Sequence, residues 1–334
     1  MKKVLSGLLL YVLCLGCQST ALSSAKLYLQ QNEPQKAEEQ LHQALQTEAQ
    51  NPEAHFLLGR LYADQGKYQE MDQAFDRSLE LSQKFAPQIQ ELRQHYWTTV
   101  YNEGVRQAAA QPPDFPGALG AFQRATLIEP ARLESWRNLA FVYYQLDSLD
   151  ATVKTYQQVL AIVPSDTSTL YSIGVLCLKL GRSQEAAQAL AEYLKLKPAH
   201  VEGLVNLAVA QLGLQDSTAA EATYLQAVSA DPKDHRPHYN LGNLYFTQKK
   251  YPMALAAYQR AVDLAPADQD ARYNLAVVYL ALEQVDRAFP LLQELAGQDP
   301  GNAAVWRELG RIHAIKGRVV ESEKAYARAD SLGR

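Results

Sequence analysis

A repeat of fixed length constrains this chain more than any other feature. From residue 130 onward, proline returns every 34 residues without a change of register. The six positions are Pro130, Pro164, Pro198, Pro232, Pro266 and Pro300. A fixed period of this length is typical of stacked supersecondary units, none of which can bury its apolar face alone. The sequence therefore predicts a repeat architecture.

Other columns keep the same register as the prolines and describe one unit. An apolar residue, the small residue directly after it, a later small residue and a large residue recur in successive units. They are Leu139, Ile173, Leu207, Leu241, Leu275 and Leu309; Ala140, Gly174, Ala208, Gly242, Ala276 and Gly310; Ala186, Ala220, Ala254 and Ala288; and Tyr156, Leu190, Tyr224, Tyr258, Leu292 and Tyr326. Apolar spacings of three and four predict two helices per unit, and proline ends the second. We expect Gly242 and Ala254 each to face the other's helix where the two helices approach most closely.

These columns resemble the tetratricopeptide repeat family. The fullest match reads Leu241, Gly242, Tyr245, Ala254, Tyr258, Ala261 and Pro266, and Trp136, Leu139, Ala140, Tyr143, Tyr156 and Pro164 form a second. The resemblance implies an all-α fold, a right-handed α-solenoid of about nine helix-turn-helix units. It also implies that the first helices of the units line a concave groove used for binding.

The repeats before residue 130 are looser than those after it. Ala25 and Gly59 are 34 residues apart, but Gly59 and Gly104 are 45 apart. The 11 extra residues make about three helical turns at ~3.6 residues each, so one helix can lengthen and keep its face. We therefore predict an extended helix near residues 87–110 that projects beyond its neighbours, either for docking or as a neutral insertion. The predicted domains are a signal peptide at 1–17 and one solenoid at 18–334, with looser repeats at 18–129 and regular repeats at 130–334.

The N-terminus predicts export and anchoring to a membrane. A lysine pair precedes an apolar run of about a dozen residues that ends in Gly16-Cys17. Such a run is shorter than the ~20 residues of a membrane span and fits a signal peptide. The ending resembles the bacterial lipobox, which implies lipid attachment to Cys17 after cleavage. An ordinary cleaved signal or an uncleaved anchor are the alternatives. Gln18 favours the outer membrane by the same resemblance, so we expect an outer-membrane lipoprotein that faces the periplasm.

Composition and motifs narrow the function classes. The net charge is −4 and no basic stripe is present, which argues against nucleic acid. Nine units fill nearly all of the chain after Cys17, and no phosphate loop, GxSxG or catalytic carboxylate pair is found. His235 and His238 form an HxxH without further clustered ligands, so packing explains them better than a metal. We predict that the chain is not an enzyme and needs no cofactor or metal.

One polar column suggests a binding surface. Asparagine stands directly before the apolar residue of the first helix in several units, where the resemblance places the groove. An amide offers a donor and an acceptor, so a row of asparagines can pair with the backbone of an extended peptide. Neighbouring aromatic residues, including Phe141 and Phe246, would add apolar contact area. The predicted groove residues are Asn102, Asn138, Asn206, Asn240, Asn243, Asn274, Tyr171, Tyr239 and Tyr273. The alternative is that asparagine only tunes packing in this column. A clamp for a C-terminal carboxylate is matched only in part, by Arg236, Asn240 and Asn243.

The sequence therefore predicts a lipid-anchored scaffold or adaptor for other proteins. It would bind extended peptide segments in its groove and act in envelope assembly or secretion. A glycan- or peptidoglycan-binding envelope protein is the alternative, because aromatic and amide groups also suit sugars.

Overall fold

The computed structural model describes residues 20–333, in which eighteen helices and one short 3-10 turn (Gln83–Phe85) account for all regular structure. The helices are α1 (Thr20–Gln30), α2 (Pro34–Thr47), α3 (Pro52–Asp64), α4 (Tyr68–Leu81), α5 (Ala86–Ala108), α6 (Phe115–Ile128), α7 (Leu133–Gln145), α8 (Leu149–Ile162), α9 (Thr167–Lys179), α10 (Ser183–Leu196), α11 (Val201–Gly213), α12 (Ser217–Ala230), α13 (His235–Thr247), α14 (Tyr251–Leu264), α15 (Gln269–Ala281), α16 (Val285–Gln298), α17 (Ala303–Ile315) and α18 (Val319–Leu332). The predicted all-α class is confirmed. The predicted signal peptide at 1–17 and its Cys17 lie outside the described residues.

The helices pair in chain order, and each pair is one repeat. The odd-numbered helix is the first helix of a repeat and the even-numbered helix is the second. The chain divides into two compact units between Pro164 and Ser165. Unit 1 holds α1–α8 and unit 2 holds α9–α18. The change from looser to regular repeats at residue 130 is a feature of the sequence period and is not a boundary between these units.

A left-handed residue closes the first helix of most repeats. In the turn between α13 and α14, Lys249 has φ +58°. The amide of Lys250 donates to the Tyr245 carbonyl, and that of Lys249 to the Phe246 carbonyl, both at 2.9 Å. This is a Schellman closure, which satisfies the last carbonyls of the helix. Its positive-φ position returns in register at Asn32, Gly66, Asp147, Gly181, Gln215, Lys249, Glu283 and Gly317.

The small residue of each first helix lies under a large side chain of the second. A Cβ added to Gly242 would come 2.6 Å from the ring of Tyr258, and one added to Gly174 would come 2.5 Å from Leu190. Both large side chains are almost fully buried. The small column is therefore needed to seat a ring or a leucine. Gly242 thus faces α14, where the group that presses on it is Tyr258, and Ala254 of α14 is fully buried.

Helix α5 has 23 residues, whereas the first helices of the other repeats have 11 to 13. Its extra N-terminal turns do not project freely, as the sequence suggested, but pack against unit 1. Ile89 is 1% exposed and joins the buried cluster that contains Met71 and Ile128. Arg93 forms ion pairs with Asp72 and Asp76 of α4. The extension therefore belongs to the core of unit 1. No described helix is both long and apolar enough to cross a membrane.

Candidate partner-binding face

The first helices of neighbouring repeats lie side by side within each unit. In unit 2, α9 contacts α11 and α11 contacts α13. We call the surface formed by these helices the first-helix face. Its columns are counted from the small residue of each repeat, for example Gly242 in α13. The predicted asparagines stand two residues before the small residue, and the predicted tyrosines three residues before it.

The asparagine column is hydrogen-bonded across repeats. Each bond runs from an asparagine amide to the hydroxyl of the tyrosine of the preceding repeat. Asn138 Nδ2 donates to Tyr101 Oη at 2.8 Å in unit 1. In unit 2, the Asn206 amide donates to Tyr171 at 3.2 Å and that of Asn274 donates to Tyr239 at 3.1 Å. The amides therefore tie successive first helices together as well as facing the surface.

Two members of the column lack such a bond among the described residues. Asn240 lies opposite the column position of Val205, whose side chain cannot accept a hydrogen bond. Asn102 of α5 is exposed, whereas the other predicted asparagines are half-buried. The column is therefore not uniform, and Asn240 is the member of unit 2 whose amide has no neighbouring tyrosine to bind.

Asn243 occupies a different column and is used internally. Its Oδ1 accepts a hydrogen bond from Tyr258 Oη at 2.6 Å and a longer one from Asn274 Nδ2 at 3.4 Å. Burial of the Tyr258 phenol raises its pKa above its usual range, so it remains a donor at neutral pH. The carbonyl of Asn243 therefore already has protein partners, and what it can offer a ligand is its amide N–H groups.

The predicted tyrosines are half-buried and held in place by neighbours. The Tyr171 ring lies 5.2 Å from that of Tyr193 and 5.5 Å from that of His200. Burial, and next a hydrogen bond to Glu202, raise the pKa of Tyr171 to about 12. Tyr239 packs edge-on against Tyr258 at 5.9 Å. Rings fixed in this way lose little conformational freedom when a ligand binds.

Burial also raises the pKa of Tyr273, with a smaller contribution from Glu308. Glu308 stands in the asparagine column of the last repeat, where it faces Arg311 at 3.6 Å. The chemistry of the column therefore changes at α17, from amides to a carboxylate flanked by Arg307 and Arg311.

Apolar side chains are exposed in the column directly after the small residue. Val105 and Phe141 are 41% and 47% exposed in unit 1, and Val175 and Val209 are 39% and 41% exposed in unit 2. Sequence reasoning singled out Phe141 but missed the valines. Extending the 34-residue register from Phe141 leads directly to Val175 and Val209, so the signal was present in the sequence.

Other polar groups that the sequence singled out are paired for structural reasons. Arg236 donates to Asp234 Oδ2 at 2.6 Å, and the Asp234 carboxylate also caps α13. The Arg236 guanidinium is therefore held by Asp234 and is not positioned to bind the C-terminal carboxylate of a peptide. His235 lies 3.4 Å from Asp268, and burial lowers the pKa of His238. No group of three potential metal ligands is found within residues 20–333.

Unit 1 also contains a cleft whose lining includes none of the column's asparagines. It is a cleft of about 680 Å³ beside the N-terminal turns of α5 and is lined by Gln90, Gln94, Glu129 and Arg132 among others. The Arg132 guanidinium stacks on Trp97 at 4.0 Å and donates to Gln94. Arg132 is thus held by groups of its own unit.

Comparison with known proteins identifies the repeat. A family model described as tetratricopeptide repeat matches residues 22–84, 171–235, 239–303 and 273–333, more than half of the chain. A photosystem I assembly protein, Ycf3 of Prochlorococcus marinus strain MIT 9301, is 28% identical over 118 residues. That match covers 34% of this chain and 66% of the relative, so the chain spans just under two thirds of the relative's length.

A solved structure shows the same kind of fold. A tetratricopeptide repeat protein from Parabacteroides merdae aligns with a TM-score of 0.51 at 17% identity, over 71% of this chain and 93% of that one. MamA from Desulfovibrio magneticus aligns with a TM-score of 0.47 at 25% identity, over 51% of this chain and 96% of that one.

Proposed function

Because this chain belongs to the tetratricopeptide repeat family, a family of protein-interaction scaffolds, we propose that it binds an extended segment of a partner protein on the first-helix face. One observation carries the proposal. On this face, anchored tyrosines and amides lie beside valines that are about 40% exposed in successive repeats of unit 2. Amides suit a peptide backbone and apolar groups suit its side chains. The description of the relative Ycf3 as an assembly protein is consistent with a scaffold.

Crosslinking from the face tests this proposal in cells. A photoreactive amino acid at Val209 should crosslink to a partner, because that side chain is exposed beside Asn206. The matched control is Leu225, which is 47% exposed but lies on the second helix α12. Partners captured equally from both positions, or from neither, would contradict binding on the first-helix face.

The amides should contribute to binding as well. Losing one partner of a desolvated hydrogen bond costs about 1–3 kcal/mol, and ~1.4 kcal/mol is ten-fold in affinity. Replacing Asn240 and Asn274 together by alanine should therefore weaken a captured partner ten-fold or more. Replacing Tyr239 and Tyr273 by alanine should also weaken binding. That effect should depend more on the partner's sequence than the effect of the asparagine variant does. If the double asparagine variant melts at a lower temperature but binds the partner normally, the asparagines serve packing and not binding.

We further propose that the scaffold is a lipoprotein of the bacterial envelope, acting in assembly or secretion at the outer membrane. The support is the lysine pair, short apolar run and Gly16-Cys17 of the sequence. Cys17→Ala should abolish labelling by a fatty-acid analogue and release the protein from membranes. Cys14→Ala, three residues away, is the matched control and should be labelled normally. Unchanged labelling and membrane partitioning of the Cys17 variant would exclude lipid attachment there.

A further inference from the structure

Three valines of unit 2 form one stripe on the first-helix face, two of them exposed and the third, Val277, half-buried. Val175, Val209 and Val277 each follow the small residue of their first helix, in α9, α11 and α15. The first two are 39% and 41% exposed. On the second helices, the exposed Ile162 and Leu196 also stand one repeat apart, but the exposed Leu225 is followed one repeat later by Gln259.

Packing within the repeats does not require valine in this column. Asn243 fills it in α13 and Arg311 fills it in α17, and both repeats are complete helix pairs. A side chain that remains about 40% exposed gains only part of its burial energy from folding. The rest becomes available when a partner covers it. The stripe therefore has the properties of a contact surface for apolar side chains.

The spacing of the stripe restricts the shape of the occupant. Packed helices generally lie about 8–10 Å apart. The hydrogen bond from Asn206 to Tyr171 joins α11 to α9 on this face. A polyproline II segment rises about 3.1 Å per residue with three residues per turn, which gives about 9.3 Å per turn. Such a segment presents a side chain on the same side once per repeat. The segment would lie across the first helices.

The charge at one end of the stripe restricts its composition. Beyond Val277, the next first helix places Arg307 and Arg311 in the tyrosine and valine columns, and both are exposed. Glu308 lies 3.6 Å from Arg311 and offsets part of the positive charge of the two arginines. A further carboxylate, Asp270, belongs to α15 and lies one turn before Tyr273. On α17 itself, two arginines against the single carboxylate of Glu308 leave a net positive charge.

We propose that unit 2 selects an extended, polyproline-II-like peptide that presents a side chain at every third position: apolar opposite the valines, polar opposite Asn243, and acidic at the end next to α17. The inference rests on the proposed function, because it names the ligand class of the same face. The apolar side chains pack on Val175, Val209 and Val277. A polar side chain of the peptide, between those that contact Val209 and Val277, lies beside the Asn243 amide. The acidic side chain of the peptide pairs with Arg307 and Arg311.

A displayed library of random 14-residue peptides tests the inference on the purified full chain. Peptides that the wild type enriches should carry apolar residues three apart and an Asp or Glu beyond them. Val175→Ser/Val209→Ser should reduce their affinity ten-fold or more. The matched control is Val320→Ser, which changes a valine that is 59% exposed on α18 and should leave affinity unchanged. If the serine variant melts early, Val175→Thr/Val209→Thr keeps the shape and provides the same comparison.

The arginines are tested with a second pair of variants. Arg307→Glu/Arg311→Glu should weaken the acidic peptides ten-fold or more, but not versions whose acidic residue is alanine. Lys324→Glu, a charge reversal on α18, is the control and should have no effect.

The outcomes separate this inference from the function on which it rests. Enriched peptides that need Asn274 and Tyr239 but lack the three-residue pattern, or bind the serine variant normally, would overturn the inference and leave the proposed function standing. Enriched peptides that depend on neither set of residues, or no enrichment over the background, would overturn both.

Discussion

Replacing Gly242 by alanine tests how a glycine sets the distance between the two helices of a repeat. A Cβ on Gly242 would lie 2.6 Å from both Cδ1 and Cε1 of Tyr258, closer than side-chain carbons approach one another. Tyr258 is 2% exposed, and its hydroxyl is bonded to Asn243 at 2.6 Å. The ring therefore has little room to move, and the added carbon must push α13 and α14 apart or break that bond.

The magnitude follows from two opposing effects. Overpacking a well-packed core costs about 1–3 kcal/mol. Alanine in a helix interior is about 0.8–1.0 kcal/mol more favourable than glycine. Gly242→Ala should therefore destabilise the protein by about 0–2 kcal/mol. The lower half of this range is expected, because the preceding repeat accommodates Ala208 and Tyr224 in the same two columns.

The matched control is Gly120→Ala in the middle of α6. There the nearest atom to an added Cβ is Arg124 Nη1 at 3.8 Å, an ordinary contact, so only the helix-propensity gain remains. Since that gain is common to both variants, their free energies of unfolding should differ by about 1–3 kcal/mol. Urea unfolding measures the difference, and hydrogen exchange should localise the loosening to α13, α14 and the adjacent repeats. Equal stabilisation by both substitutions, or loosening spread evenly from end to end, would refute the reasoning.

Three further predictions concern single groups of unit 2. Asn274→Ala removes the hydrogen bonds that its side-chain amide donates to Tyr239 and Asn243, and should lower the free energy of unfolding by about 0.5–1.5 kcal/mol. In the same urea experiment, Asn240→Ala should change the free energy of unfolding by less than ~0.5 kcal/mol. Equal effects would contradict the hydrogen-bond assignment. The hydrogen bond and ion pair with Arg236 lower the pKa of Asp234, so this carboxylate stabilises the fold above its unfolded pKa and that contribution is lost as the pH falls through the folded one. Melting curves from pH 6 to 2 should therefore show a smaller acid-induced loss for Asp234→Asn than for the wild type; identical pH profiles would count against the pair. Burial raises the pKa of Tyr224 to about 12, so its ionisation should be missing from an absorbance titration near pH 10. The free energy of unfolding should fall as the pH rises above 10, and it should fall less steeply in Tyr224→Phe than in the wild type.

Contacts inside one repeat could be predicted from the sequence. The repeat whose sequence match ends at Pro266 contains α13 at His235–Thr247 and α14 at Tyr251–Leu264. The reason is that proline, the apolar spacing and the small column all act within about 34 residues. The left-handed turn column was not recognised, because polar residues such as Lys249 and Glu283 fill it in several repeats where glycine would have marked it.

Contacts between helices were harder to predict. The period places Gly242 in a tight approach but does not say which residue of α14 meets it, since that depends on how the helices cross. The pairing of Asn206 with Tyr171 joins residues 35 apart. It depends on the offset between stacked repeats, which a 34-residue period does not contain. For the same reason, the period does not reveal that the extra turns of α5 fold back onto α4.

The asparagine column can serve packing and binding at the same time, because an amide has separate donor and acceptor atoms. In Asn206 and Asn274, one N–H is directed at the tyrosine of the preceding repeat, and no protein donor reaches the side-chain oxygen within residues 20–333. A bond to the tyrosine fixes the amide plane, and hence the direction in which that oxygen is presented. The structural role thus reduces the entropy that binding would otherwise lose. Asn240 lacks a tyrosine and gains no such orientation, so an equal contribution from all members of the column is not expected. The members that stabilise the stack should also be the ones that bind most effectively.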